Sequence, residues 1–175
     1  MTRWLLVVAA LATGSARAEA PETVDLDLSR LEGTWYELAR VDSFFRRGCT
    51  GNTTTYTRAP EGHLEVRNRC SQGSLDGPQK QVSGRLWRQE GAPPGQLRLQ
   101  VVWPLVSDFW VVEVGPALEY AAVSNAKKTT LTVLSRTAQL DEAVLASLLG
   151  RLRARGYPVD QLTRTVQPLA PDAGR

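Results

Sequence analysis

Histidine occurs once in this 175-residue sequence, at position 63, and cysteine only at positions 49 and 70. So few nitrogen and sulfur donors argue against a zinc site, and no metal or other cofactor is expected. No apolar run reaches the ~20 residues that a membrane-spanning helix requires. There is no Ser–His–Asp arrangement within motif spacing and no glycine-rich phosphate loop, so the motifs give no support to an enzyme. A strong excess of one charge is missing as well, which bears on nucleic acid below.

What is present at the N-terminus reads as a leader. Arg3 precedes an apolar stretch, Trp4 to Ala12, that is too short to span, and Ala16-Arg17-Ala18 offers small residues for a signal peptidase. Cleavage after Ala18 makes 1–18 a signal peptide and starts the mature chain at Glu19. That removes Arg3 and Arg17 and no acid, so the formal net charge falls from +3 to +1. A near-neutral surface carries no electrostatic footprint for nucleic acid. Export also sets the redox compartment, in which two cysteines are expected to pair. The midpoint between Cys49 and Cys70 falls at Ala59-Pro60, a turn, so an antiparallel hairpin folded there brings the two close together.

The remaining chain alternates strand-like segments with turns. From Gly33 they are 33–41, 53–57, 64–68, 81–87, 97–101, 109–114, 120–123 and 131–136, at hairpin spacing and with no crossover helix between them. That pattern predicts an all-β, eight-stranded up-and-down antiparallel barrel. One helix follows, with Val144, Leu145, Leu148, Leu149 and Leu152 on one face, acids at its start and Gly156 as its stop. As a C-terminal α-helix it is expected to pack on the barrel wall. Residues 162–166 suggest a short strand beside the first one, and 168–175 a frayed tail. The domain is 19–175.

The stretch Gly33-Thr34-Trp35-Tyr36-Glu37-Leu38-Ala39-Arg40 closely resembles the opening signature of the lipocalins, in the branch of apolipoprotein D and the bacterial outer-membrane lipocalin. Leu134-Ser135-Arg136 resembles the third signature of that family. Gly115-Pro116-Ala117-Leu118-Glu119-Tyr120 keeps the Tyr of the second but lacks its Thr-Asp pair. The resemblance implies that Gly33, Trp35 and Arg136 close the barrel bottom, with the guanidinium stacked over the indole. It implies a secreted, periplasmic carrier of a small apolar or amphiphilic ligand: a fatty acid, lysophospholipid or related envelope lipid. Bacterial relatives often carry a lipidated cysteine after the leader, and none occurs before Cys49, so the chain is read as not lipid-anchored. A transient membrane contact and a monomer or weak dimer fit this picture.

On the family pattern Tyr56 points inward, which brings Thr54 and Asn52 to the same face, with Leu64 and Val66 opposite across the hairpin. Leu86 joins them from the next strand. Leu99, Val101 and Trp103 share one parity, and Thr132 and Leu134 match inward positions on the last strand. These are the predicted ligand-binding residues, and Trp110 is expected near them. The small and polar character of Asn52, Gly84, Thr130 and Thr132 favours a cavity over a filled interior. Two alternatives remain: an interaction module using the 42–48 loop with Phe44 and Phe45 at its tip, or a cofactor-free barrel enzyme with a buried Glu37 as its acid.

Overall fold

A computed structural model describes residues 22–43 and 47–168. The expected leader, the Glu19 start, the Phe44-Phe45 pair and the tail beyond Pro168 lie outside the described residues. The chain enters through a 3-10 helix, Leu28–Leu31, capped by the Asp27 carboxylate, which accepts from the Ser29 N–H at 2.8 Å. Gly33 then turns it into the first strand. Eight strands follow: β1 (Gly33–Val41), β2 (Cys49–Arg58), β3 (Leu64–Gln72), β4 (Gln79–Arg88), β5 (Gln96–Val102), β6 (Leu105–Val114), β7 (Tyr120–Ser124) and β8 (Leu131–Ser135). Each pairs antiparallel with the next, and β1 pairs with both β2 and β8, which closes the barrel. The predicted barrel is therefore the one observed.

Several strands outrun their predicted bounds. β2 begins at Cys49 and not Thr53, because a register shift between Thr50 and Thr53 carries it past Gly51, whose φ is +59°. A bulge inserts an unpaired residue without ending a strand, and it hides the alternation that a sequence reading depends on. Beside β1 the short β9 (Leu162–Arg164) adds a ninth strand, and the chain beyond it continues the pairing. There the Thr165 N–H donates to the Leu38 carbonyl at 2.9 Å and the Gly51 N–H to the Val166 carbonyl at 2.7 Å. The C-terminal segment thus bridges β1 and β2 above the point where their own pairing stops at Tyr36 and Thr53.

The helix α1 (Glu142–Ala154) starts at Asp141, whose carboxylate accepts from the Ala143 and Val144 N–H groups. Leu145, Leu148 and Leu152 are buried against Leu38, Ala39, Val112, Ala122, Leu131 and Val133 on the outer wall. Full burial of such leucines contributes about 2–3 kcal/mol each. Val144, predicted on the same face, is exposed, because the stripe is narrower than five residues. Gly156 at φ +79° ends the helix, and the Tyr157 N–H returns to the Leu152 carbonyl at 3.1 Å. Arg151 and Arg155 both pair with Glu113 of β6, fixing the helix to the wall.

Cys49 and Cys70, 21 positions apart in sequence, form a disulfide with Cα atoms 5.4 Å apart. It ties the upper end of β2 to β3. Closing a loop of that length in the unfolded chain stabilises the fold by about 3 kcal/mol in the chain-entropy account. The Cys49→Ser/Cys70→Ser variant is therefore expected to unfold at lower denaturant concentration by that amount, with its barrel circular dichroism retained. An unchanged midpoint would mean that the bridge constrains nothing.

Candidate functional site

One end of the barrel is closed. Trp35 is fully buried, and its Nε1–H donates to the Leu31 carbonyl of the entering 3-10 helix at 2.7 Å. The Arg136 guanidinium lies over the indole, 3.8 Å from the ring centroid, and donates to the Glu32 and Arg30 carbonyls, each at 2.8 Å. Its partial burial lowers its pKa from the ordinary arginine value. Gly33 has φ +94°, and a Cβ there would lie 3.2 Å from Arg136 Nη1, so the turn and the stacking both require glycine. The loop that departs from the second signature still completes this floor. Leu118 takes φ 60° at its turn and buries its side chain in the lower core, while the Glu119 carboxylate folds back to accept from the Ala117 N–H.

At the opposite end the strands splay around a cavity of about 810 Å³. Its deeper wall is apolar: Tyr56, Val66, Leu99, Phe109, Val123 and Leu134. Tyr56 and Phe109 meet edge to face with centroids 6.2 Å apart. Higher up the wall turns polar, with Thr54, Asn68, Ser124, Thr130 and Thr132, and with charged groups from Glu37, Arg40, Asp108 and Lys127. A side lobe of about 300 Å³ shares Glu37, Thr54 and Asn68, and adds Asn52, Val82, Val101 and Val102. The gradient from apolar floor to charged mouth suits a molecule with a hydrocarbon end and a polar end.

Of the residues predicted to meet a ligand, Thr54, Tyr56, Val66, Leu99, Thr132 and Leu134 line the cavity, and Asn52 and Val101 line its lobe. Leu64 and Leu86 are fully buried in the packed core below. Trp103, predicted on the inner wall, is 84 % exposed beside the β5–β6 turn. Extending the parity of Leu99 and Val101 to it fails because β5 ends at Val102 and the register shifts between Leu99 and Val102. Trp110, expected near the pocket, packs on the helix-side cluster outside the barrel. Sequence reasoning missed Phe109 and Val123. Their alternation with the outward Trp110 and Ala122 was the signal that could have found them.

Arg40 was also missed, because a register shift between Glu37 and Ala39 places residues 37 and 40 on the same inner wall. Both are buried, and Arg40 Nη1 donates to Glu37 Oε1 at 2.5 Å. The same oxygen accepts from Asn52 Nδ2 at 2.6 Å and from Thr165 Oγ1 at 2.9 Å. Gln167 Nε2 donates to the Glu37 and Asn52 carbonyls, both at 2.8 Å. One carboxylate oxygen thus gathers an arginine and two further donors from three segments of the wall, an arrangement that ties β1, β2 and the C-terminal segment together. His63 lies in the β2–β3 turn, at the closed end. Among the described residues no three His, Cys, Asp or Glu side chains gather as a metal site.

Comparison with known proteins places this geometry. The sequence profile described as the lipocalin-like domain matches residues 26–167. Outer membrane lipoprotein Blc of Vibrio cholerae is 29% identical over 147 residues, covering 81% of this chain and 85% of its own. Temperature-induced lipocalin-1 of Arabidopsis thaliana is 28% identical over 156 residues, covering 83% and 82%. Among solved structures, lobster apocrustacyanin A1 superposes with a TM-score of 0.65 at 14% identity, over 81% of this chain and 79% of that one. At that identity the likeness is one of fold.

Proposed function

The chain belongs to the lipocalin family, and from that premise we propose that its barrel binds and carries an amphiphilic acyl lipid, a fatty acid or lysophospholipid, without catalysing a reaction. The observation that carries this reading is the graded wall of the cavity, apolar from Tyr56 to Phe109 and polar with charged groups at the mouth. The acyl chain descends onto the floor and the headgroup stays among Thr130, Thr132, Lys127 and Arg40. A bacterial envelope location, reached by export, belongs to the same reading, in keeping with relatives that are named outer membrane lipoproteins. The carrier works as a monomer or weak dimer.

Burying a chain of about 12 carbons gains roughly 0.8 kcal/mol per methylene, about 10 kcal/mol gross. Ordering the ligand and side chains returns several kcal/mol, which leaves a dissociation constant near ~1 μM. Delipidated protein titrated with dodecanoate and with a lysophospholipid is expected to saturate at one ligand per barrel. Leu99→Glu, which sets a charge on the apolar floor, is expected to weaken binding by at least about tenfold. Mass spectrometry of solvent extracts of the purified protein identifies the native occupant. Absence of saturable binding by a folded, delipidated sample would refute the proposal.

A further inference from the structure

The fold leaves one group of charges unmatched. Several surface arginines pair with carboxylates: Arg98 with Asp108, Arg151 and Arg155 with Glu113, Arg164 with Glu142. On the outer wall of β3 and β4 that pairing stops. Arg67 and Arg69 on β3 and Arg85 on β4 are exposed, and among the described residues none has a carboxylate within ion-pairing distance. Strand alternation turns them outward, since Val66 and Leu86, of the opposite parity, are buried in the core. Neutral groups hold two of the three guanidiniums in place. Arg69 Nε donates to Gln81 Oε1 at 2.9 Å and Arg85 Nε to Gln100 Oε1 at 3.2 Å. Arg85 also lies over the Trp87 ring, 5.0 Å from its centroid. These contacts orient the forks without cancelling their charge.

Arg67 and Arg85 line an open depression of about 460 Å³ across β2, β3, β4 and β5, and Arg69 stands one step further up β3. The register brings Arg67 opposite Thr55 on one side and Ser83 on the other, and Arg85 opposite Glu65 and Gln100. Glu65 is the one acid of the depression, and His63 marks its lower end. At the upper end stands Trp103, 84 % exposed, which packs in neither core cluster and lines no part of the ligand cavity. Hydroxyls, an amide, uncompensated guanidiniums and an open indole thus converge on one outer face, on the far side of the wall from the cavity.

We infer that this face is a second binding site, for an acidic polysaccharide. Sugar carboxylates pair with the forks of Arg67, Arg69 and Arg85, which suit a planar anion with two acceptor oxygens. Sugar hydroxyls meet Thr55, Ser83 and Gln100, which both donate and accept. Trp103 supplies a flat apolar surface on which the C–H face of a sugar ring packs. Charge spacing favours a glycan over a nucleic acid. Arg67 and Arg69 lie about 6.5–7 Å apart along the strand, with Glu65 at the next outward position, so positive charge is sparse on this wall. A chain with one acid group per sugar matches that density, whereas a phosphate at every nucleotide exceeds what three arginines and an acid can neutralise. The site lies outside the barrel and does not rest on the lipid-carrier reading.

The test is calorimetric titration of the full chain with oligogalacturonate, with dextran of matched length and single-stranded DNA as comparison ligands. Wild-type protein is expected to bind oligogalacturonate saturably at low ionic strength and to lose affinity as salt is added. Arg67→Gln/Arg85→Gln is expected to weaken that binding at least about tenfold, two charge-assisted contacts being lost. Trp103→Ser is expected to weaken it about threefold. Glu65→Gln, which removes the acid from among the arginines, is expected to tighten it about threefold. Unfolding midpoints and dodecanoate titrations of these variants are expected to match the wild type, since all four side chains lie outside the core and the cavity. Arg153→Gln, on α1, is the control and should bind as wild type does. Absence of saturable oligogalacturonate binding by the wild type, or equal binding by the arginine double variant, overturns the proposal. Unchanged or weaker binding by Glu65→Gln also overturns it. So does equal binding of dextran, which would leave the arginines without a role, or tighter binding of DNA, which would make the face a nucleic-acid site.

Discussion

Trp35→Ala is expected to lower the unfolding free energy of the barrel by about 3–5 kcal/mol, the usual consequence of removing a buried indole. The site is poorly placed to relax. The ring is fully buried, Arg136 stacks on it at 3.8 Å, and its Nε1–H donates to the Leu31 carbonyl that anchors the entering 3-10 helix. Its loss leaves a cavity beneath the floor, an unpaired carbonyl and a guanidinium without its aromatic partner. Arg136→Ala is expected to cost about 2–4 kcal/mol, since the stacking contributes about 1–2 and two carbonyls lose a charged donor. Arg136→Lys should recover little, because an ammonium cannot both lie flat on the indole and reach the Glu32 and Arg30 carbonyls. Denaturant titration measures each loss. Below the transition both variants should bind dodecanoate about as tightly as the wild type, because neither residue lines the cavity. A variant that kept its stability and lost its ligand would make this pair part of the binding site instead.

That pair, the strand count and the terminal helix were all legible in the sequence, for two different reasons. The strand count and the helix are written in local pattern, hairpin spacing repeated eight times and leucines three and four apart closed by Gly156, whereas the Trp35–Arg136 pair, 101 positions apart, was implied by the resemblance of two short stretches to lipocalin signatures. The disulfide was legible because the β2–β3 hairpin brings the two cysteines to neighbouring levels, although it turns about Glu61 and sets Cys49 opposite Gln72, not opposite Cys70. What was not legible was the facing of side chains beyond a register shift. Arg40 is turned into the barrel by the shift after Glu37, and Trp103 is carried out to the rim by the shift after Leu99. Side-chain period in a strand is two, so a single inserted residue reverses every assignment above it. The departure from the second signature was readable as a missing Thr-Asp pair. Its outcome, Leu118 at positive φ with its side chain in the core, depends on burial that no local pattern encodes.

Glu37 and Arg40 carry the other large effect. Replacing Glu37 by alanine removes the one oxygen that accepts from Arg40, Asn52 and Thr165 together, and leaves a buried guanidinium beside the more exposed Asp42 carboxylate, 3.2 Å away just past the end of β1. Removing one member of a buried ion pair typically costs about 3–5 kcal/mol, chiefly because the other charge stays desolvated. Glu37→Met/Arg40→Met should therefore be less destabilising than the sum of its single variants, by on the order of 1 kcal/mol or more in a double-mutant cycle. The loss should be read out locally as well. Thr165 and Gln167 hold the C-terminal segment against β1 and β2 through Glu37 and the Asn52 carbonyl, so amide exchange at Gly51 and Thr165 should accelerate in Glu37→Ala before the rest of the barrel responds. A functional role separates cleanly from this structural one. If Arg40 holds a lipid carboxylate or phosphate, Arg40→Met weakens dodecanoate binding while leaving an uncharged dodecanol titration unchanged. Equal losses for both ligands would assign the pair to closure of the wall alone, and additive stabilities in the cycle would refute its coupling.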